Sequence, residues 1–124
     1  MSAASPLAGL ERMRSGPDGT VVAFTAPGRD DRVIAGHYPG FPVLPGVYLI
    51  EAVDRSVRQW ADDAPVELSA MDRCRFHSPV FPGDRITADI TVRQDAEGLL
   101  CDASVSTDRG RSADIRLRYR KGEQ

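Results

Sequence analysis

The sequence predicts an α+β fold in which an antiparallel sheet wraps around one long helix, and three observations lead there. Beyond Pro45, apolar residues at Val47, Ile50, Val53, Val57 and Trp60 recur at three- and four-residue steps, the period of a helix with one dry face. Later segments change period: Ile86, Ala88, Ile90 and Val92 alternate with charged or hydroxyl residues, as do Leu99, Cys101, Ala103 and Val105, and then Ala113, Ile115, Leu117 and Tyr119. Each of these is a strand with one apolar face. Turn-like stretches at 95–98 and 108–110 join them, which makes consecutive strands antiparallel neighbours. One helix and one sheet, each with a single dry surface, bury both by packing together.

In chain order, residues 6–14 and 20–26 read as a first pair of strands about the turn signal Ser15-Gly16-Pro17-Asp18-Gly19. Pro27 to Asp31 is a polar loop. The helix starts near Pro45, since proline suits the first helical position where a missing N–H costs nothing, and it fades over 61–64 ahead of Pro65. Three or four strands follow without another helical period, and Lys121 to Gln124 read as a loose tail. With no internal repeat or low-complexity tract, residues 1–124 are expected to form a single domain, large enough for a core and small enough to be helped by a partner surface.

Sixteen basic and 18 acidic side chains are mixed along the chain for a net charge of −2, which gives no electrostatic footprint for nucleic acid or an anionic membrane. Lys121 is the only lysine, and the arginine bias reads as compositional. No run of about eighteen apolar residues exists, and the N-terminus lacks the basic start and apolar stretch of a secretory signal, so a cytoplasmic location is expected. Cys74 and Cys101 have no CxxC spacing and no neighbouring histidine; they are expected to be buried free thiols, with no metal site.

Chemistry concentrates before and within the helix. Three prolines and three glycines fall between Gly36 and Gly46, which makes this a stiff, specified loop able to hold His37 in one place. Glu51 lies one turn beyond Val47 and next to Ile50, on or beside the face expected to turn inward, where a carboxylate is unwelcome without a function or a partner. Trp60 reads as a core or interface anchor.

Residues 36–51, Gly-His-Tyr-Pro-Gly-Phe-Pro-Val-Leu-Pro-Gly-Val-Tyr-Leu-Ile-Glu, resemble the FabZ and FabA dehydratases, whose pattern is Gly-His-Phe-Pro-Gly-x-Pro-x-x-Pro-Gly-Val followed by a helix carrying Glu or Asp. Tyr38 stands here for the family's Phe. The match puts the family's catalytic histidine on His37, its acid on Glu51 at the same fourteen-residue separation, and its carbonyl-binding glycine on Gly46. A second stretch, Met71 to Asp84, looks like the family's Phe-x-x-Pro-Val-x-Pro-Gly-Asp strand and turn. The resemblance implies the hot-dog fold, the same helix wrapped by a sheet. It also implies dehydration of a 3-hydroxyacyl thioester on an acyl carrier protein to the trans-2-enoyl thioester, in fatty-acid or polyketide-type biosynthesis. Pro45, Val47, Tyr38 and Phe41 would then contact substrate beside Gly46. No metal and no resident cofactor are implied, phosphopantetheine arriving on the carrier-bound substrate. The implied partners are the carrier and a second hot-dog subunit, in a homodimer or heterodimer whose pocket takes histidine from one subunit and acid from the other.

Such an elimination needs a base for the C2 proton, an acid for the departing C3 hydroxide and a donor to the thioester oxygen. His37 suits the first role, since an ordinary imidazole pKa of about 6.5 leaves much of it neutral near pH 7. Glu51 would be the acid, its proton retained by burial among Val47, Ile50 and the sheet. The Gly46 amide at the helix tip would bind the oxygen. Glu51 is five residues past Gly46, about 7.5 Å along the axis, so oxygen site and acid can flank one short substrate.

The chain also departs from the family. Ala52-Val53-Asp54-Arg55 replaces the usual Ala-Met-Ala-Gln, and Arg55 stands four residues after Glu51, the spacing of helix ion pairs. Either Arg55 points elsewhere, toward a carrier or the neighbourhood of Asp54, or the subunit is compromised and acts with a partner. Phe41 replaces the arginine common in the family's loop. His77 reads as a strand-end histidine, and Arg73 and Arg75 as solvated strand charges. The alternatives to a dehydratase are a hot-dog acyl thioesterase and a non-catalytic or co-catalytic subunit of a heterodimer.

Overall fold

A computed structural model of the chain describes residues 9–28, 44–62 and 64–122. Their elements run β1 (Glu11–Gly16), β2 (Gly19–Thr25), α1 (Val47–Trp60), β3 (Val66–Phe76), β4 (Arg85–Gln94), β5 (Gly98–Thr107) and β6 (Gly110–Lys121). The strands form one antiparallel sheet in the order β1-β2-β4-β5-β6-β3. The helix packs against β2, β4, β5 and β6, which is the hot-dog arrangement.

The alternating segments become the middle of the sheet. Ile86, Ile90, Cys101, Val105, Ile115 and Leu117 are buried and face α1, and β4, β5 and β6 form the expected meander. The first hairpin is shorter than expected: β1 spans Glu11–Gly16 and turns at Pro17–Asp18, while residues 6–8 lie outside the described residues. Lys121 belongs to β6, opposite Val66, and the Gly122 N–H donates to the Pro65 carbonyl at 2.7 Å, so residues 121 and 122 are not a loose tail.

β3 is an edge strand paired only with β6 among the described strands. Two register shifts, at Leu68/Ala70 and Met71/Arg73, each insert an extra residue. Its half-buried residues therefore fall at Val66, Ala70 and Cys74, four apart rather than two. Leu68, Met71 and Phe76 remain 44 to 52% exposed.

The buried face of α1 consists of Leu49, Ala52, Val53, Ser56 and Val57. This corrects the expected inward stripe: Val47 is 62% exposed, Ile50 and Trp60 are only partly buried. Small residues at 52 and 56 let the helix backbone approach the sheet, and the Ser56 hydroxyl, donating to Ala52 O at 2.7 Å, leaves no polar group unsatisfied there. Beside it, the buried Tyr119 hydroxyl donates to Asp54 Oδ1 at 2.7 Å, and Arg58 Nε donates to the same carboxylate at 3.2 Å. Burial, with the Asp54 carboxylate alongside, pushes the Tyr119 phenol well above its ordinary range. Both cysteines are free; Cys101 is buried as expected, but Cys74, on the edge strand, is only half-buried. Burial raises both thiols, that of Cys101 to about 12. Among the described residues no helix is long and apolar enough to cross a membrane.

Candidate active site

The two sequence motifs meet at the start of α1. The Leu44 N–H donates to the carbonyl of buried Val80 at 2.8 Å, which ties the end of the Pro/Gly loop to the Pro-Val-x-Pro-Gly-Asp segment. Pro45 is buried, and the carbonyls of Pro45 and Gly46 accept from the Tyr48 and Leu49 N–H groups, both at 3.0 Å. Gly46 is the N-cap residue, at φ −58° and ψ −27°, with no side-chain cap. Among the described residues, no backbone carbonyl accepts from the Gly46 or Val47 N–H. These are the donors that a helix start leaves without an intrahelical acceptor, and the helix dipole favours negative charge beside them.

Phe76, at the end of β3, lies over this tip. A Cβ on Gly46 would stand 2.6 Å from the Phe76 Cζ, so the absence of a side chain at 46 is what admits the ring.

Further along the chain, residues Phe81–Asp84 form a turn in which the Asp84 N–H donates to Phe81 O at 3.1 Å and Gly83 takes φ +80°, a backbone state that disfavours side chains. The Asp84 carboxylate accepts from the Phe81 N–H at 2.7 Å and from both terminal nitrogens of Arg109, whose guanidinium stacks 4.8 Å from the Phe81 ring centroid. The Arg109 guanidinium beside it holds Asp84 below the ordinary carboxylate range. Asp84 thus locks the turn that presents Val80 to Leu44. Sequence reasoning saw Asp84 only as part of a motif and missed Arg109, which lies in a different turn with no local signal of the pairing.

Glu51 is exposed, which corrects the expectation of a buried acid. It shares the outward stripe Val47, Glu51, Arg55 and Gln59, spaced by four, so the apolar enclosure expected around it is not built by this protomer among its described residues. Among the described ion pairs Arg55 does not meet Glu51; the i,i+4 pair on this helix is Asp54 with Arg58 at 3.2 Å. His37, Tyr38 and Phe41 lie outside the described residues.

His77 is a strand-end residue. Its Nε2 is 2.8 Å from Asp114 Oδ2, and its N–H donates to Ser112 O at 2.7 Å. That contact holds Asp114 below the ordinary carboxylate range. Arg73 and Arg75 are exposed on β3, opposite Arg116 and Asp114. Among the described residues no group of three or more His, Cys, Asp or Glu is arranged to hold a metal.

Comparison with known proteins bears on this geometry. A model of the ApeI-like family, described as ApeI dehydratase, matches residues 15–113. The 3-hydroxyacyl-acyl-carrier-protein dehydratase FabZ of Polynucleobacter necessarius is 36% identical over 70 residues, covering 52% of this chain and 47% of the relative. That of Polynucleobacter asymbioticus is 30% identical over 89 residues, covering 67% and 60%. The chain thus spans between about half and under two thirds of the length of these curated relatives. Among solved structures, the dehydratase heterocomplex ApeI:P from Xenorhabdus doucetiae superposes with a TM-score of 0.76 at 17% identity, over 90% of this chain and 95% of that one. The E. coli PaaI protein of the phenylacetic acid degradation operon gives 0.75 at 20% identity, over 93% and 80%. At these identities the superpositions speak for the fold alone.

Proposed function

The chain belongs to the ApeI-like family of hot-dog proteins, and from that premise we propose that it dehydrates a 3-hydroxyacyl group carried as a thioester on an acyl carrier protein, releasing the trans-2-enoyl thioester. His37 takes the C2 proton; the electron pair moves into the C1–C2 bond and loads negative charge on the thioester oxygen, which the Gly46 N–H holds. Collapse of that enolate expels the C3 hydroxyl, protonated by Glu51, as water. The proton on His37 then returns to Glu51 through solvent. Pro45, Val47, Tyr38 and Phe41 contact the acyl group near the oxygen site. No cofactor takes part; the phosphopantetheine belongs to the substrate.

The observation that carries this reading is the convergence of both motifs on an uncapped helix tip, with Glu51 on the outward face of the same helix. An exposed acid needs a cover. Desolvation favours the neutral carboxyl, and here the covering surface comes from a second hot-dog subunit, seated over the Val47–Gln59 stripe and alongside β3, which pairs only with β6 among the described strands. Histidine and acid are then supplied by different protomers, in a homodimer or with a related subunit.

The test is mass spectrometry of a 3-hydroxyacyl carrier thioester incubated with the purified protein, alone and with any hot-dog subunit encoded beside it. Loss of one water in mass is the expected product. Release of a free acid would instead establish a thioesterase, and turnover only with the second subunit a co-catalytic role. His37→Ala and Glu51→Gln should each remove most turnover, by about 10²- to 10⁴-fold; a near-native rate in either would withdraw the role assigned to that residue.

A further inference from the structure

A cavity of about 720 Å³ opens at the far end of α1 from Gly46, about 20 Å away along the axis at 1.5 Å per residue. The packed core of Leu49, Ala52, Val53 and Val57 fills the space between. A thioester held at Gly46 therefore has no path through this protomer's core to the cavity. Its volume falls within the range of about 300–1,000 Å³ typical of small-molecule sites.

The lining has a definite chemistry. Trp60, Pro17, Ala64, Pro65 and Leu99 supply apolar walls. The Trp60 Nε1–H is already committed to Gly16 O at 2.7 Å, so the indole offers the cavity an apolar surface without an unsatisfied donor. Among the described residues that line it none is acidic and one is cationic, Lys121, the one lysine in the chain. Walls of this kind with one positive charge at their margin match an amphipathic anion.

We infer that this cavity binds a small monocarboxylic acid with an apolar body of medium-chain acyl size, its tail against Trp60 and Leu99 and its carboxylate toward Lys121. The site is separate from the one under Proposed function and stands or falls independently of it.

Trp60 is the only tryptophan, so its fluorescence reports on the cavity directly. The experiment titrates the full chain with sodium octanoate at low ionic strength, with 1-octanol as the neutral control. A saturable change is expected. Octanol, and octanoate with Lys121→Gln, should bind about threefold to fivefold more weakly, the size of one solvent-facing charge contribution. Ala64→Phe, which fills the cavity from an exposed position, should abolish the change while circular dichroism stays native; if that variant does not fold, the lysine and octanol arms still decide. His37→Ala should bind octanoate like the native chain. A non-saturable response, equal affinity for octanol, an unaltered titration in Lys121→Gln, or loss of binding in His37→Ala would each overturn the inference. So would a change of sedimentation in Ala64→Phe, which would mark the cavity as a contact between copies.

Discussion

Replacing Gly46 with alanine separates the fold from the chemistry. The added methyl would stand 2.6, 2.8 and 3.0 Å from three carbons of the Phe76 ring, so the ring has to move. That movement is cheap for stability, because Phe76 is 51% exposed at the end of an edge strand and can swing into solvent. Meanwhile the Gly46 backbone, at φ −58° and ψ −27°, suits alanine, which gains about 0.4–1 kcal/mol by restricting the unfolded chain. Overpacking costs of about 1–3 kcal/mol belong to rigid cores and set an upper bound here. The two effects nearly cancel, so the net change should stay within about 1 kcal/mol, a Tm shift under about 6 °C. Turnover should nevertheless fall by about 10²-fold, the cost of displacing a reacting group by about an ångström, since the methyl intrudes on the thioester oxygen. Thermal melts and the mass assay on the same preparation measure both. Gly46→Ala with Phe76→Leu relieves the ring contact but keeps the methyl, and should stay slow. A fully active Gly46→Ala would refute the assignment of Gly46 as oxygen site, and a loss of several kcal/mol would refute the free movement of the Phe76 ring.

Other outcomes follow from the same contacts. Asp84 is held by Arg109 below its ordinary value of 3.8, so its contribution to stability is complete above about pH 4 and is lost as pH falls through the lowered folded-state value. Asp84→Asn should therefore be less stable than the native protein near neutrality and lose less than it does on acidification below about pH 4, as urea melts at several pH values will register; parallel acid profiles would contradict the pairing. Thiol titration at neutral pH should modify Cys74 slowly and Cys101 only on unfolding, because burial raises the Cys101 thiol to about 12; fast labelling of Cys101 would show the sheet opening. Met71→Lys puts a charge on the exposed edge strand β3. It should weaken subunit association in sedimentation while leaving the melting of the isolated protomer nearly unchanged.

The central sheet was legible because β4, β5 and β6 each keep strict alternation, and one helix with one dry face leaves a single way to pack. β3 was hard to read for a physical reason: its two bulges convert a period of two into buried positions four apart, at Val66, Ala70 and Cys74. The helix was placed correctly but rotated. Counting large apolar residues put Val47 and Ile50 inside, whereas the contact face is built on Ala52 and Ser56, small residues that carry little hydrophobic signal and allow close approach. That rotation is why Glu51 was expected to be buried and is exposed. The Arg109–Asp84 pair and the Tyr119–Asp54 bond join residues 25 and 65 apart in sequence, and nothing local announces them. The proximity of Gly46 to the second motif has no local signal in the sequence either, and emerges from the Phe76 contact. The expected roles of His37, Tyr38 and Phe41 concern residues outside those described.

The central claim is that an outward-facing Glu51 works with a histidine from another subunit, and mixing two inactive variants tests it most directly. His37→Ala and Glu51→Gln, each nearly silent alone, are unfolded together, refolded and assayed for dehydration. Random pairing in a two-fold dimer with shared sites gives one intact site in each mixed dimer, so activity should return to about a quarter of the native value. A mixture that stays inactive, while sedimentation and mass confirm mixed dimers, would contradict the shared site.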